Sequence, residues 1–593
     1  IYLGDYAMKI KSISIENFRS IKNATINFNE ITALVGENNA GKTAILRALN
    51  SVFNYEYENE FFLNSMHRYW KKTITKITII FEEVPEKEIY MNKKKDGILR
   101  LRFQYSYSKS RNGRTLCCLI DNEKVNVDEN FILELKKDID FVYIPANRGG
   151  KDLTWSESSI LARVVKAYLQ DYTRNRDLLS NQVARMAKSI HKQVLTKLES
   201  ELSQLNMVDD FGNYKLSFRE SIDYKIFLDQ INLYLDDEES MPVSEYGSGV
   251  KSLTVIALHR MLAKLNNVSI ILGIEEPETN LHPQAQKKFI ASLKDKRQDC
   301  ETQAIFATHS TVIVDALDHQ DIVLVRREKD EKRGFHSSTS QLPVDFWTLH
   351  NIAELKHYNF FKYRNSDFFF AKYVVITESI TDAQVIERLI EPQLGDLYYN
   401  VSVLNLDGVK NLQYPFFLLS DLGIPFTAVV DKDVFLPYKN GKLMDSRNSE
   451  TFLPEYSNTL NRRNPVLNAV FNTEELKDKL EEYVNQSYTK FVNYIEKYNM
   501  LSMQYCLEMD LVATDKASEL YYDHYNLLGE KRNRKSLLIE RKDAIKDPTV
   551  LLEIFDRLNP SEYPFSFKKI KNILVKKIKT AIITQRQNME VEE

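Results

Sequence analysis

The chain has 593 residues, 43% apolar and 27% charged, with 80 basic against 83 acidic side chains and a net charge of −3. That length exceeds one ordinary core and predicts two to four domains. No apolar run is long enough to cross a bilayer and no stretch reads as a secretory signal, so a cytoplasmic protein with no membrane partner is expected.

Cys117, Cys118, Cys300 and Cys506 are too few and too scattered for a disulfide framework or a zinc site. The near-neutral charge leaves nucleic-acid binding open, because only local basic clusters bear on it. Residues 1–7 carry no pattern and read as an upstream extension ahead of Met8.

From Lys9 to about Val35 short strands alternate apolar and polar residues, ending in the compact run Ile31 to Val35; a helix follows over Lys42–Leu49. Between them lies Gly36-Glu37-Asn38-Asn39-Ala40-Gly41-Lys42-Thr43, a complete P-loop in the strand-to-helix context that gives the motif meaning. Its backbone N–H groups suit a phosphate at the positive end of the helix, Lys42 suits the β- and γ-phosphates, and Thr43 suits Mg²⁺.

Residues 70–145 are strand-rich. From Ser156 to Leu205 the period becomes helical, with Ile160, Leu161, Val164, Val165 and Tyr168 on one face, as in an insertion. Ser244 to Ser252 places small residues, among them Ser248 and Gly249, at the start of another helix, a second anion pocket. The strand Ser269 to Ile274 then ends in Glu275 and Glu276. Glu275 is placed at the metal, and Glu276 is placed to orient or deprotonate the attacking water. The strand Ala304 to Thr308 ends at His309, within reach of a γ-phosphate.

This order resembles the ABC ATPases of chromosome maintenance and repair, whose opening Asn17-Phe18-Arg19-Ser20 brings an arginine, here Arg19, to the nucleotide. Two departures stand out. The signature loop is Tyr246 to Val250, and the metal-side acid is Glu275 where aspartate is commoner. The resemblance implies ATP held between the P-loop of one head and the signature loop of another. One head is encoded here, so a homodimer or higher homo-oligomer is expected. The helical insertion is too short for a coiled-coil arm and reads as a dimerisation element.

The segment from Arg326 to Asp367 lacks periodicity and is read as a domain boundary. Beyond it, Tyr373 to Thr377 delivers Glu378, with Asp382 four residues on; Val401 to Leu406 delivers Asp407-Gly408; Phe426 to Val430 delivers Asp431-Lys432-Asp433. Three apolar strands each ending in an acid place carboxylates along one edge of a parallel sheet. Clustered carboxylates repel unless a cation sits among them, which predicts Mg²⁺, with Mn²⁺ as a substitute.

The ordered set resembles the Toprim domain, with Ser379 where a glycine is usual. An ABC head followed by Toprim is similar to the OLD (overcoming lysogenisation defect) nucleases, nearest in layout to those of Gabija-like or retron-associated systems. The resemblance implies an α/β protein: an ABC-type ATPase domain over 8–345 with a helical insertion at 152–206, a linker at 346–371, and a Toprim domain over 372–593 with a helical C-terminal part. It implies further metal ligands, for which Glu508 and Asp510 are candidates, and a catalytic lysine, Lys546 or Lys542.

The implied activity is ATP binding and hydrolysis with metal-dependent DNA cleavage, regulated by nucleotide and directed against phage. A second defence component, a helicase or a retron reverse transcriptase with its DNA, is the partner such systems would add. The rival from another class is an ATP-dependent DNA sensor or clamp whose Toprim domain only binds. Of two basic clusters, Lys531 to Lys535 is favoured for phosphate contact, and Lys568 to Lys579 reads as an amphipathic surface helix.

Overall fold

The computed structural model describes residues 8–71, 73–108, 113–121, 123–146, 159–171, 173–198, 231, 233–235, 241–295, 302–330, 334–352 and 366–586. Cys300, the ends of the helical insertion and residues 353–365 of the segment 346–371 lie outside them. The chain divides into two compact units, Ile1–Leu34 with Gly41–Ile313, and Val35–Ala40 with Val314–Glu593.

In the first unit an antiparallel ladder runs in the order Glu123–Val127, Gly113–Ile120, Ile98–Ser106, Thr75–Glu82, Lys9–Phe18, Ile21–Asn27. Burial alternates along Thr75–Glu82 and Ile98–Ser106, as expected of a sheet with one face on a core. A second ladder orders Ile31–Val35, Thr302–Thr308, Ser269–Glu275 and Ile139–Ile144, with the last three in parallel. The first three of these strands are buried on both faces, which is why they read as apolar runs. The buried Gln303 amide ties the two ladders together: it donates to the carbonyls of Ile10 (2.8 Å) and Asn29 (3.1 Å) and accepts from the Ile10 amide (3.0 Å).

The described part of the insertion forms the helices Ile160–Asp171 and Thr173–Ile190. Ile160 and Val164 pack on Leu262 of the helix Ser248–Asn266.

The second unit holds an antiparallel hairpin, Ile322–Asp330 with Gly334–Ser340, paired from Leu324↔Ser340 to Asp330↔Gly334. Regular structure therefore continues past Arg326, where the sequence shows no period. Arg326-Arg327-Glu328-Lys329-Asp330 and Ser337 to Ser340 are polar residues held by ladder hydrogen bonds rather than by apolar alternation. A parallel sheet follows in the order Val401–Asn405, Tyr373–Thr377, Phe426–Val430, Met500–Ser502. The helix Ile380–Leu394 packs against the C-terminal helix Phe565–Arg586, whose Ile570, Leu574, Ile578 and Ile582 are buried. None of the described helices is long and apolar enough to cross a membrane.

Candidate nucleotide site and candidate metal centre

The P-loop is built on strained backbone that its residue types accommodate. Asn39 (φ 59°) and Gly41 (φ 111°) are left-handed, and Lys42 opens the helix Lys42–Phe53 with its side chain buried, while Thr43 is exposed. Ala40 is buried, and its amide donates to the Glu37 carbonyl. Gly36 (φ 150°) lies so close to the Val325 carbonyl that an added Cβ would stand 1.9 Å from its oxygen. Asn38 sits at the exposed crest of the loop.

In the first unit Glu276 is left-handed (φ 42°), with its amide on the Ala307 carbonyl at 2.8 Å. Glu278, which the sequence analysis did not single out, clamps the next strand end: it accepts from Thr308 Oγ1 (2.9 Å) and from the His309 amide (2.7 Å). The His309 ring is held below its ordinary pKa by burial first and then by Lys42, with Glu276 opposing. Lys42, Glu276 and His309 thus share one electrostatic neighbourhood.

Glu275 accepts from the Ala146 amide at 3.4 Å, and its charge is felt by Tyr143 and Arg19. Arg19 is itself left-handed (φ 51°), and its amide donates to the His67 carbonyl. Burial and Arg47 lower its pKa, while Glu58, Tyr143 and Glu275 oppose them. A buried carboxylate, Glu58, anchors this corner by accepting from Asn50 (2.7 Å), Arg47 (3.2 Å) and His67 (2.7 Å).

The helix that starts at Ser248 carries Gly249 against the loop after the acidic strand. An added Cβ there would lie 2.4 Å from the Asn280 carbonyl oxygen. That approach requires glycine.

The second site lies at the carboxyl end of the parallel sheet. Thr377 pairs with Asn405 on one side and Val429 on the other, so the three strands end level. Oxygens of Glu378, Asp431 and Asp433 lie within 4.8 Å of one another. The Asp431 amide donates to Glu378 Oε1 at 2.8 Å.

Burial raises all three carboxyls. Glu378 is pushed up to about 8, with Asp433, Asp382 and Glu508 adding to the rise. Asp431 is pushed well above its ordinary range by burial and then by the same neighbours. Asp433 is raised by burial, while the Tyr438 hydroxyl (3.3 Å) and Lys546 favour its charged form. Half-buried acids this close suit a divalent cation, which would remove the repulsion and replace lost water.

Other predicted residues divide. Glu508 joins the cluster: it acts on all four acids Glu378, Asp382, Asp431 and Asp433, and its Oε1 is 3.1 Å from Lys546 Nζ. Lys542 lines a cavity beside Lys546. Asp382, pushed up to about 6 by burial first, caps the helix Ile380–Leu394 in a reciprocal box with Ser379. Ser379 is extended (φ −132°) and supplies the capping hydroxyl, so glycine is not required there.

Asp407 is exposed and left-handed (φ 54°), outside the group of three. The Gly408 amide beside it nevertheless donates to the Glu378 carbonyl at 2.8 Å. Asp510 is fully taken up by protein donors, the amides of Gln504 and Tyr505 (both 2.8 Å) and the Ser566 hydroxyl. Its place is that of a loop anchor, not a fourth member of the cluster.

The two arginines of the favoured basic cluster are held by protein partners. Arg532 pairs with Glu519 and Asp523, and Arg534 pairs with Asp515 and donates to the carbonyls of Val512 and Ala513.

A P-loop with its acidic strand and a parallel sheet ending in a carboxylate cluster define an ATPase joined to a Toprim-type domain. Residues 8–140 and 120–314 match the family model described as AAA ATPase domain, and residues 369–433 match Overcoming lysogenization defect protein-like, TOPRIM domain. The chain belongs to this AAA ATPase family and carries an OLD-like TOPRIM domain.

It is 22% identical over 472 residues to the OLD nuclease of Thermus scotoductus, covering 72% of this chain and 82% of that protein. It is 22% identical over 585 residues to Endonuclease GajA of Bacillus cereus, covering 84% of each. Among solved structures, the Smc head domain bound to the C-terminal domain of ScpA, from Pyrococcus furiosus, matches at 13% identity and a TM-score of 0.36, over 58% of this chain and 99% of that one.

Proposed function

We propose that the protein is a divalent-metal-dependent endodeoxyribonuclease regulated by ATP, acting as a homodimer in defence against phage. The observation that carries this reading is the convergence of Glu378, Asp431 and Asp433 on one point at the strand ends, with Glu508 alongside. The nuclease names of the two relatives support it, and the antiphage role extends the family resemblance.

Glu378, Asp431 and Asp433 would hold the ion, with Glu508 completing the set. An ion held by these residues would supply the Lewis acidity to activate water and to offset charge on the leaving oxygen. Lys546 faces the same acids; its pKa is raised, chiefly by Glu508, so its ammonium stays charged and can offset charge developing on the phosphate. Tyr438 steadies Asp433, and Asp510 steadies the turn at Gln504-Tyr505, whose Tyr505 carbonyl receives the Lys432 amide (3.0 Å).

At the other site Gly36, Asn38 to Thr43 and Arg19 would bind ATP with Mg²⁺ beside Glu275, and Glu276 and His309 would serve hydrolysis. Ser248 and Gly249 would meet the nucleotide of a second copy. An exposed row on the insertion, Leu178, Met186, Ile190 and Val194, supports pairing of copies there.

The test is cleavage of supercoiled plasmid with Mg²⁺ or Mn²⁺. Glu378→Ala and Asp431→Ala should each lose more than about a hundredfold in rate while still binding ATP. Glu378→Ala cutting as fast as the unmodified chain overturns the assignment.

A further inference from the structure

A cavity of about 290 Å³ opens beside the carboxylate cluster and shares Glu508 with it. One part of its wall is Lys442, Leu443, Met444 and Arg447; another is Lys542, Ile545 and Lys546. Its cations, Lys442, Arg447, Lys542 and Lys546, outnumber its two acids, Glu508 and Asp543, by two. The volume lies near the lower end of small-ligand pockets, about 300–1,000 Å³.

Arg447 is fixed in the wall. Its guanidinium donates to the carbonyls of Phe452 (2.8 Å) and Leu538 (3.2 Å), and none of the ion pairs among the described residues involves it. Its Nε is buried with no hydrogen-bond partner. A half-buried guanidinium with an unsatisfied N–H gains from an anion that meets it. Leu443, Met444, Met509 and Ile545 supply the apolar remainder, a surface suited to a sugar or base edge rather than to bare phosphate.

We infer that this cavity binds one nucleotide of the cut strand next to the scissile phosphate, with the phosphate on Lys442, Arg447 and Lys542 and the sugar against Leu443 and Met444. The inference rests on the nuclease reading for the direction of the strand, and adds to it the residues that set where the strand lies. Lys442 comes from the segment between two sheet strands, far in sequence from Lys542 and Lys546. The cavity therefore closes on the strand from two separate stretches of chain.

The test uses the full chain and a fluorescent single-stranded oligonucleotide in Ca²⁺, followed by cleavage of the same oligonucleotide in Mn²⁺. Lys442 is exposed, so Lys442→Ala and Lys442→Glu leave the core intact, whereas Arg447 holds two loops and is left alone. Lys442→Ala should weaken binding about fivefold to tenfold and lower the salt slope by about one. Lys442→Glu should weaken it further, and Lys442→Arg should restore it. In cleavage the change should fall on KM more than on kcat. Lys479→Ala, on the exposed helix Glu474–Gln486, is the control and should bind normally.

Unchanged affinity and salt slope in both Lys442→Ala and Lys442→Glu overturn the inference, as does equal weakening by Lys479→Ala. Failure of the nuclease reading looks different. Oligonucleotide binding that depends on Lys442, with no cleavage by the unmodified chain in any metal, refutes the nuclease and keeps the nucleotide site.

Discussion

Removing the charge of a proposed metal ligand should stabilise the metal-free protein. Glu378 carries a carboxyl pushed up to about 8 from an ordinary 4.5, by burial first and then by Asp433, Asp382 and Glu508. A carboxyl whose folded pKa lies above its unfolded pKa binds more protons in the folded state, so stability falls as pH rises from about 4.5 to about 8. The full difference corresponds to roughly 4–5 kcal/mol at about 1.4 kcal/mol per tenfold. Glu378 shares that repulsion with Asp431 and Asp433, so a single neutral substitution should recover roughly 2 kcal/mol.

Glu378→Gln is the substitution to use, because the amide oxygen can still accept the Asp431 N–H. Melting of EDTA-treated protein between pH 5 and pH 8.5 reads the effect. The unmodified chain should lose stability across that range, and Glu378→Gln should melt about 4–8 °C higher at pH 8 with little difference at pH 5. Saturating Mn²⁺ should reverse the order, since the ion stabilises only the state with its ligands charged. If metal-free Glu378→Gln melts at or below the unmodified chain throughout, the acids do not repel one another as argued.

The nucleotide site gives four further outcomes. Glu276→Gln should keep ATP binding and slow single-turnover hydrolysis by about a hundredfold or more, whereas Lys42→Ala should lose nucleotide binding itself, as measured with a fluorescent ATP analogue. Gly36→Ala should cost several kcal/mol or abolish the P-loop's binding, because its Cβ would stand 1.9 Å from a backbone oxygen; normal ATP affinity in that variant would contradict the close approach to Val325. Lys372→Ala should change stability by less than about 1 kcal/mol, since its pair with Glu37 (3.6 Å) is partly exposed, yet reduce the response of DNA cleavage to ATP when nucleotide is titrated.

What the sequence made legible were features fixed by local order. The P-loop, the acids closing Ser269–Glu275, and the strands Tyr373–Thr377 and Phe426–Val430 could be read because a buried parallel strand is an unbroken apolar run and the acid after it must emerge at the sheet's edge. The strand Met500–Ser502 has too few residues to show a period. Glu508 and Asp510 sit two apart on one short helix and look alike. Their roles diverge because Asp510 meets Gln504, Tyr505 and a distant Ser566, while Glu508 meets Lys546.

Basic density is a weaker guide for a related reason. Arg532 and Arg534 are spent on Asp515, Glu519 and Asp523, neighbours that helical turns bring beside them. Lys442 and Arg447 belong to an excursion between strands whose sequence carries no spacing rule, so only the folded chain sets them opposite Lys542. Glu58 and His67 went unseen because a buried ionic knot has no motif.

Hydrolysis of a phosphodiester is downhill, so cleavage at the carboxylate site does not draw on ATP for energy. The nucleotide can act only by binding two arrangements of the chain unequally. Within the second unit the first half of the P-loop is tied to the strands that deliver the acids. Glu37 pairs with Lys372, the residue before Tyr373–Thr377, which leads to Glu378. Gly36 lies on the Val325 carbonyl, and the next residue, Arg326, is half-buried and donates to the Gly423 carbonyl at 2.6 Å, just ahead of Phe426–Val430, which leads to Asp431. Burial lowers the Arg326 pKa to about 10 while Glu37 and Glu328 oppose it, so this guanidinium also senses the loop's charge. A phosphate arriving at Gly36 to Ala40 would compete with Glu37 for Lys372 and Arg326, and so reach the starts of two ligand-bearing strands. Closed around ATP, the loop would hold those strand starts in one arrangement; emptied, it would release them. That connection is a route for regulation by occupancy without any transfer of energy.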